Sequence, residues 1–351
     1  MRHTSFGRVT GLRVSEYALG TGNFGTAWGG GAEQPEARVI FDRFAEAGGT
    51  FIDTADVYSN GDSERMLGDF LATDRDHFVV ATKYGLGAGA PGVSTTGTSR
   101  RNMIRSVEAS LRRLRTDRVD LLWAHWPDPT TPTDEILAGF DHLVREGKVL
   151  HAGLSNFPAW QASHAAAVAT LRGWTPLAAV QFEYSLAECT ADRELLPMAR
   201  AHGLGVNLWS PLGGGLLTGK YRTSSSGRLT DWNGGVVKLE DTGQRTAVLD
   251  AVLDIARELA LIPAQVAMAW LLNVARADVT PVVPVIGPRN LAQLDDYLAA
   301  LDVTLPDEHL SRLNKVSAPS LGVPHEGIAR ISKTVLGGDR ADVTVPPLPL
   351  V

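Results

Sequence analysis

The sequence holds a single cysteine, Cys189, among 351 residues, which excludes an internal disulfide and any cysteine-built metal cluster. Basic residues are not in excess: 33 Lys and Arg against 39 Asp and Glu give a formal net charge of -6. Nothing electrostatic therefore favours nucleic acid or an anionic membrane as a partner. No apolar run approaches a membrane span, and the opening MRHTSFGRVTG has no apolar core of a secretion signal. The nine histidines show no metal-ligand spacing, so no metal is expected. These absences together suit a protein of the reducing cytoplasm.

Glycine is plentiful, and one cluster invites a specific reading. In ALGTGNFGTAWGGG (18–31), Gly20, Gly22 and Gly25 match G-x-G-x-x-G, the phosphate-binding turn of Rossmann domains, and Asp53 ends a second apolar run. That fingerprint needs a helix opening directly from the glycines, so that free N–H groups and the helix dipole meet the phosphates. Here Thr26, Ala27, Trp28 and three more glycines follow, and the helix pattern begins only near Pro35. The interval from Gly25 to Asp53 also exceeds the usual spacing of about 20 residues. The run is expected to be a strand and its loop, with no Rossmann helix.

Along the chain, short apolar runs alternate with amphipathic stretches of helical length. The strand candidates are YALGTG, TFIDTA, FVVATK, DLLWAH, LHAGLS, AAVQFE, GVNLWS and VVPVIG. Helical patterns lie near 35–47, 62–72, 99–115, 133–146, 158–171, 190–202, 263–276 and 289–300. Continuously apolar strands indicate a parallel sheet buried on both faces. Eight β–α units without a linker predict a (β/α)8 TIM barrel, one domain over residues 1–317. Expected additions are an N-terminal β-hairpin at 4–15 and C-terminal helices near 243–260 and 306–317. Long loops at 85–98 and 221–241 fall on the face where such barrels bind ligands. Residues 318–351 read as a Pro-rich tail without periodicity.

Polar residues at the C-terminal ends of barrel strands line the active site. Here those ends supply Asp53, Lys83 and His125, with Tyr58 on the turn after Asp53. Each alone could cap a turn, snorkel, or sit satisfied in a core; four on neighbouring strand ends point to catalysis. The segment GGTFIDTADVYSNGDSERMLG, with VVATKYG, SLRRLRTDRVDLLWAHWPD, GLSNF, VQFEYS, WSPLGGGLLTGKY and IGPRNLAQL, resembles the aldo-keto reductases over about residues 5–317. The resemblance implies a carbonyl reductase using NADPH, with Asp53, Tyr58, Lys83 and His125 as its catalytic tetrad and Tyr58 as proton donor. An unperturbed phenol has a pKa near 10, and a lysine ammonium about 4 Å away is expected to lower it by two to three units. Asp53 would keep Lys83 charged, and a neutral His125 would orient the carbonyl oxygen.

The same resemblance implies the cofactor contacts. Gly22 and Asn23 belong to the first loop, beside the nicotinamide. Ser155, Asn156 and Gln181 match carboxamide-binding positions, and Trp209 matches the ring that stacks on the nicotinamide. Ser210, Leu212, Gly214 and Lys220 match the pyrophosphate segment, with Arg228 as a further phosphate contact from a loop expected to fold over the cofactor. Gly287 and Arg289 open the last motif, where Arg289 would pair with the 2′-phosphate and Gln293 and Asp296 would lie by the adenosine. Tyr297 departs from the family's asparagine there. Phe24, Trp28, Tyr84, Trp126 and Trp232 are candidate walls for a small-molecule carbonyl substrate. Two other roles fit the same residues: a keto-sugar reductase of secondary metabolism, or a cofactor-bound regulatory subunit like the β subunits of potassium channels. The second is disfavoured by the lack of a distinctive N-terminal extension. The sequence leaves oligomerisation open.

Overall fold

The computed structural model describes residues 1–89, 92–224 and 237–338. Arg228, Trp232 and most of the 221–241 loop thus lie outside the described residues. Eight parallel strands close into a barrel in the order in which they occur along the chain. They are β3 (Ala18–Gly20), β4 (Phe51–Asp53), β5 (Val79–Tyr84), β6 (Val119–Ala124), β7 (Val149–Ser155), β8 (Leu177–Glu183), β9 (Gly205–Trp209) and β10 (Val282–Ile286), with β10 pairing back onto β3. Register places Gly20 beside Asp53, and Asp53 beside Ala81. The ends of β3 and β4 therefore lie at one level, β5 runs three residues further, to Tyr84, and the residues that follow these ends share one opening.

The outer ring is α1 (Gln34–Glu46), α2 (Asp62–Phe70), α3 (Arg100–Leu114), α4 (Thr133–Arg145), α5 (Ala159–Arg172) and α6 (Leu195–His202). After the ring's first six come α7 (Gly243–Glu258), α8 (Pro263–Ala277), α9 (Leu291–Ala299), α10 (Asp307–Ser317) and α11 (His325–Val335). Local chemistry explains their limits. Ser99, Thr242 and Asn290 each accept a first-turn backbone N–H as N-caps. Proline stands in the first turn of α1 and α8, where its missing N–H costs nothing. The helix expected from residue 190 starts later: a 3₁₀ turn at Thr190–Asp192 precedes the non-helical Glu194.

The hairpin of β1 (His3–Ser5) and β2 (Arg13–Ser15) closes the barrel's N-terminal end. Phe6, which follows β1, is fully buried against Phe51 with ring centroids 5.2 Å apart. With Trp123, Leu121 and Val283 it fills the barrel interior, while a larger apolar cluster sits between strands and helices. Among the described residues no single helix is long and apolar enough to cross a membrane. The tail departs from expectation in one respect, because α11 occupies 325–335. Ile328, Ile331 and Val335 follow one helical stripe, a short period that the surrounding prolines obscure.

The glycine run is a strand end and a folded loop. No helix opens until Gln34, and Phe24 bridges to Ala32 across the loop. Gly25 has φ +98°, and a Cβ there would lie 2.6 Å from Cβ of Ser59. Glycine is required because this loop packs directly against the turn that carries Tyr58.

Candidate active site

A cleft of about 660 Å³ opens at the C-terminal ends of the strands, with Asp53, Tyr58 and His125 in its wall. Lys83 stands behind them. Strand alternation turns Lys83 inward from β5, where its ammonium donates to Asp53 Oδ2 at 2.5 Å, to Thr54 O at 2.8 Å and to the Tyr58 hydroxyl at 3.2 Å. All three ammonium donors are used. Asp53 is fixed in turn through Oδ1, which accepts from Trp123 Nε1 at 3.1 Å and Gln181 Nε2 at 3.0 Å. The turn after Tyr58 is left-handed at Ser59 and Asn60, and it directs the chain into α2 while leaving the phenol at the cleft.

Electrostatics follow from burial. Lys83 is pushed above the usual lysine range: burial opposes its charge, and the Asp53 carboxylate and the Tyr58 hydroxyl more than offset that. The His125 imidazole is held well below its ordinary range, first by burial and then by the Lys83 charge, so it is neutral near pH 7. Tyr58 corrects the sequence expectation. Lys83 does pull the phenol down, as anticipated, but burial is the larger effect and the net direction is up. Tyr58 therefore stays protonated, which is the state a proton donor needs.

Most of the anticipated cofactor positions share this cleft. Gly22, Asn23, Asn156, Gln181, Trp209, Ser210, Leu212, Gly214, Lys220, Gly287, Arg289, Gln293 and Asp296 all line it. Asn156 donates to His125 O and to the Ser155 hydroxyl, both at 3.0 Å, and its Oδ1 accepts from Trp209 Nε1 at 3.0 Å. The indole is thereby locked as a shelf. Ser155 itself is fully buried and does not line the cleft, and its hydroxyl accepts from Asn156.

A dinucleotide fits the donor set. Gln181 gives one N–H to Asp53 and retains a second N–H and its carbonyl oxygen, the pair a carboxamide requires. Gly213, Gly214 and Gly215 all have positive φ, and a Cβ on Gly215 would lie 3.0 Å from Lys220 Cε. Such a side-chain-free turn beside a lysine suits a pyrophosphate. At the far end, Gln293 accepts from Arg289 N at 2.9 Å and donates its own N–H to the Asn290 cap at 3.0 Å.

On the substrate side two expectations are corrected. Phe24 is wholly buried, edge-on to Phe70, and does not line the cleft. Tyr84 points outward because its neighbour Lys83 points in; it packs against Phe140 and donates to Thr98 O at 3.1 Å. Trp28 and Trp126 do line the cleft, Trp28 lying edge-on to the Tyr58 ring at 5.9 Å. Val57 and Leu86 join them and were not anticipated. Val57 was signalled by adjacency to Tyr58, and Leu86 by being an apolar residue on the loop after β5. Asp128 ties the walls together, accepting from Thr98 N and Oγ1 on one loop and from Thr130 and Thr131 on the other.

The chain is 38% identical to the uncharacterized oxidoreductase YrpG of Bacillus subtilis, covering 90% of this chain and 96% of that one. It is 33% identical to norsolorinic acid reductase of Aspergillus flavus, covering 92% and 82%. It is 32% identical to the aryl-alcohol dehydrogenase [NADP(+)] of Phanerodontia chrysosporium, covering 98% and 91%. The profile of the aldo/keto reductase family matches residues 17–318, and the chain belongs to that family.

Proposed function

We propose that the protein is an NADPH-dependent reductase of aldehydes and ketones, with Tyr58 as the proton donor. The observation that carries this reading is the Lys83 ammonium, bonded to both Asp53 and Tyr58 behind the cleft wall. When bound, the nicotinamide supplies the hydride. The chain supplies the rest. His125, neutral and at the wall, donates to the carbonyl oxygen and orients it. Tyr58 gives its proton to that oxygen, and Lys83 stabilises the phenolate left behind, since an ammonium at hydrogen-bond distance in a buried site is a strong counter-charge. Asp53 keeps Lys83 charged against burial. Gln181 and Asn156 select the orientation of the carboxamide, Trp209 backs the ring, and the Gly213–Gly215 turn with Lys220 holds the phosphates. Arg289 and Asp296 face the adenosine end.

The substrate side favours an aryl or alkyl carbonyl over a keto-sugar. Trp28, Val57, Leu86 and Trp126 surround the Tyr58–His125 pair; none carries a charge, and only the indoles offer a hydrogen-bond donor, whereas a polyol needs several polar partners. The names of the relatives, one acting on an aryl alcohol, support the same choice. A panel of aryl aldehydes, aryl ketones and sugars, followed by NADPH consumption, tests it. Turnover concentrated on aryl carbonyls is the expected result. Preference for sugars would support the keto-sugar reading. Absence of turnover together with a stable hetero-partner would support a regulatory subunit.

A further inference from the structure

Two buried carboxylates, Glu64 and Asp56, are packed behind the Tyr58 turn, and the Arg113 guanidinium is paired with Glu64. Glu64, on α2 and fully buried, accepts from the Thr82 hydroxyl through Oε1 and from Arg113 Nε through Oε2, each at 2.6 Å. Arg113, on α3, gives its Nη2 to Ser110. Asp56 lies between Asp53 and Tyr58 and is 1% exposed, yet its Oδ1 has no hydrogen-bond partner among the described residues. Its backbone N–H is pinned to Lys83 O at 3.0 Å. The groups facing its carboxyl are Glu64 from α2, Arg113 from α3, Lys83 from β5 and the Val57 N–H. A buried carboxylate with an unsatisfied oxygen and an acidic neighbour is costly to keep ionised, so it takes up a proton instead.

We propose that Asp56 is the proton-holding member of a buried acid pair with Glu64, and that release of this proton tunes Tyr58 through the field. The inference rests on the reading of Tyr58 as proton donor. Burial first, and then Glu64, push the Asp56 carboxyl up to about 7, against the pull of Arg113, the Val57 amide and Lys83. Its negative charge pushes Tyr58 upward, in the same sense as Asp53. Ionised Asp56 therefore keeps the phenol protonated as pH rises. Reduction, which needs the phenol, is preserved; oxidation of an alcohol, which needs the phenolate as base, is held back. Asp56 does not line the cleft and acts only through Tyr58.

The test uses the full-length chain with NADP⁺ or NADPH bound. The ¹³C carboxyl resonance of Asp56, assigned through the backbone, is expected to titrate near neutral pH. In Asp56→Asn the alkaline limb of the reduction profile, and the rise of alcohol oxidation, should both move down by about one pH unit. One pH unit corresponds to about 1.4 kcal/mol of interaction between the Asp56 charge and the phenolate. Asp56→Glu should restore the wild-type limb. An Asp56 carboxyl already ionised at about pH 5, near the unperturbed range, would overturn the proposal, as would superimposable profiles for wild type and Asp56→Asn. Should Asp56→Asn not fold, the wild-type titration decides alone. If Tyr58→Phe kept its activity, the donor reading would fail while the carboxyl titration still reported on the acid pair.

Discussion

The Lys83 ammonium stands 3.2 Å from the Tyr58 hydroxyl and 2.5 Å from the Asp53 carboxylate, so one buried cation links the phenol to the carboxylate. Removing the Asp53 charge leaves the Tyr58 hydroxyl to oppose the effect of burial on Lys83. Asp53→Asn keeps the shape and an acceptor for Trp123 and Gln181, but it should drop the Lys83 pKa, so that activity fails at a lower pH than in wild type. Breaking a buried pair costs about 3–5 kcal/mol, which urea unfolding should register. An unchanged alkaline limb in the pH–rate profile would show that Asp53 does not hold the ammonium.

Asp56 makes stability depend on pH with a defined sign. Its carboxyl is raised from 3.8 to about 7 in the folded protein, so the native state binds more protons than the unfolded chain between those values. Its contribution is fully present below about pH 4 and is lost as pH rises through about 7, amounting to about 4 kcal/mol. Urea unfolding of wild type and Asp56→Asn across this window checks it: the wild type should lose stability relative to the variant as pH rises. A constant difference between the two would mean that Asp56 is ionised throughout.

Arg289 lines the far end of the cleft just before the Asn290 cap of α9. A guanidinium there can make paired hydrogen bonds to a 2′-phosphate, reinforced by the helix N-terminus. Hydrogen bonds to charged groups contribute about 1.5–3 kcal/mol, so Arg289→Ala should weaken NADPH about ten- to hundredfold and leave NADH nearly unchanged. Dissociation constants for both cofactors are the measurement; equal weakening would remove Arg289 as the reader of the phosphate.

The barrel was legible because its strands are unbroken apolar runs between amphipathic stretches, and the meeting of Asp53, Lys83 and His125 because they stand at the ends of neighbouring strands. Side-chain direction was partly legible and was missed. With Lys83 pointing inward, the two-residue period of β5 sends Tyr84 outward, away from the substrate. Phe24 offered no such rule, since an aromatic residue in a loop packs inward or outward according to contacts that exist only in the fold. The ionisation of Tyr58 was not legible at all: Lys83 announces itself by type and position, whereas the burial that outweighs it is a property of the assembled cleft. Asp56 was hidden for the same reason, because the surroundings of its carboxyl depend on how α2 and α3 place Glu64 and Arg113.

The central claim, that Tyr58 donates the proton, is tested most directly by single-turnover reduction of an aryl aldehyde with NADPH by Tyr58→Phe, using deuterated NADPH to establish that hydride transfer is being observed. General-acid catalysis contributes about 10²- to 10⁴-fold, so the rate should fall by at least about a hundredfold with NADPH affinity unchanged. A variant that keeps more than about a tenth of the wild-type rate under these conditions would contradict the account, because a donor of this kind cannot be removed so cheaply.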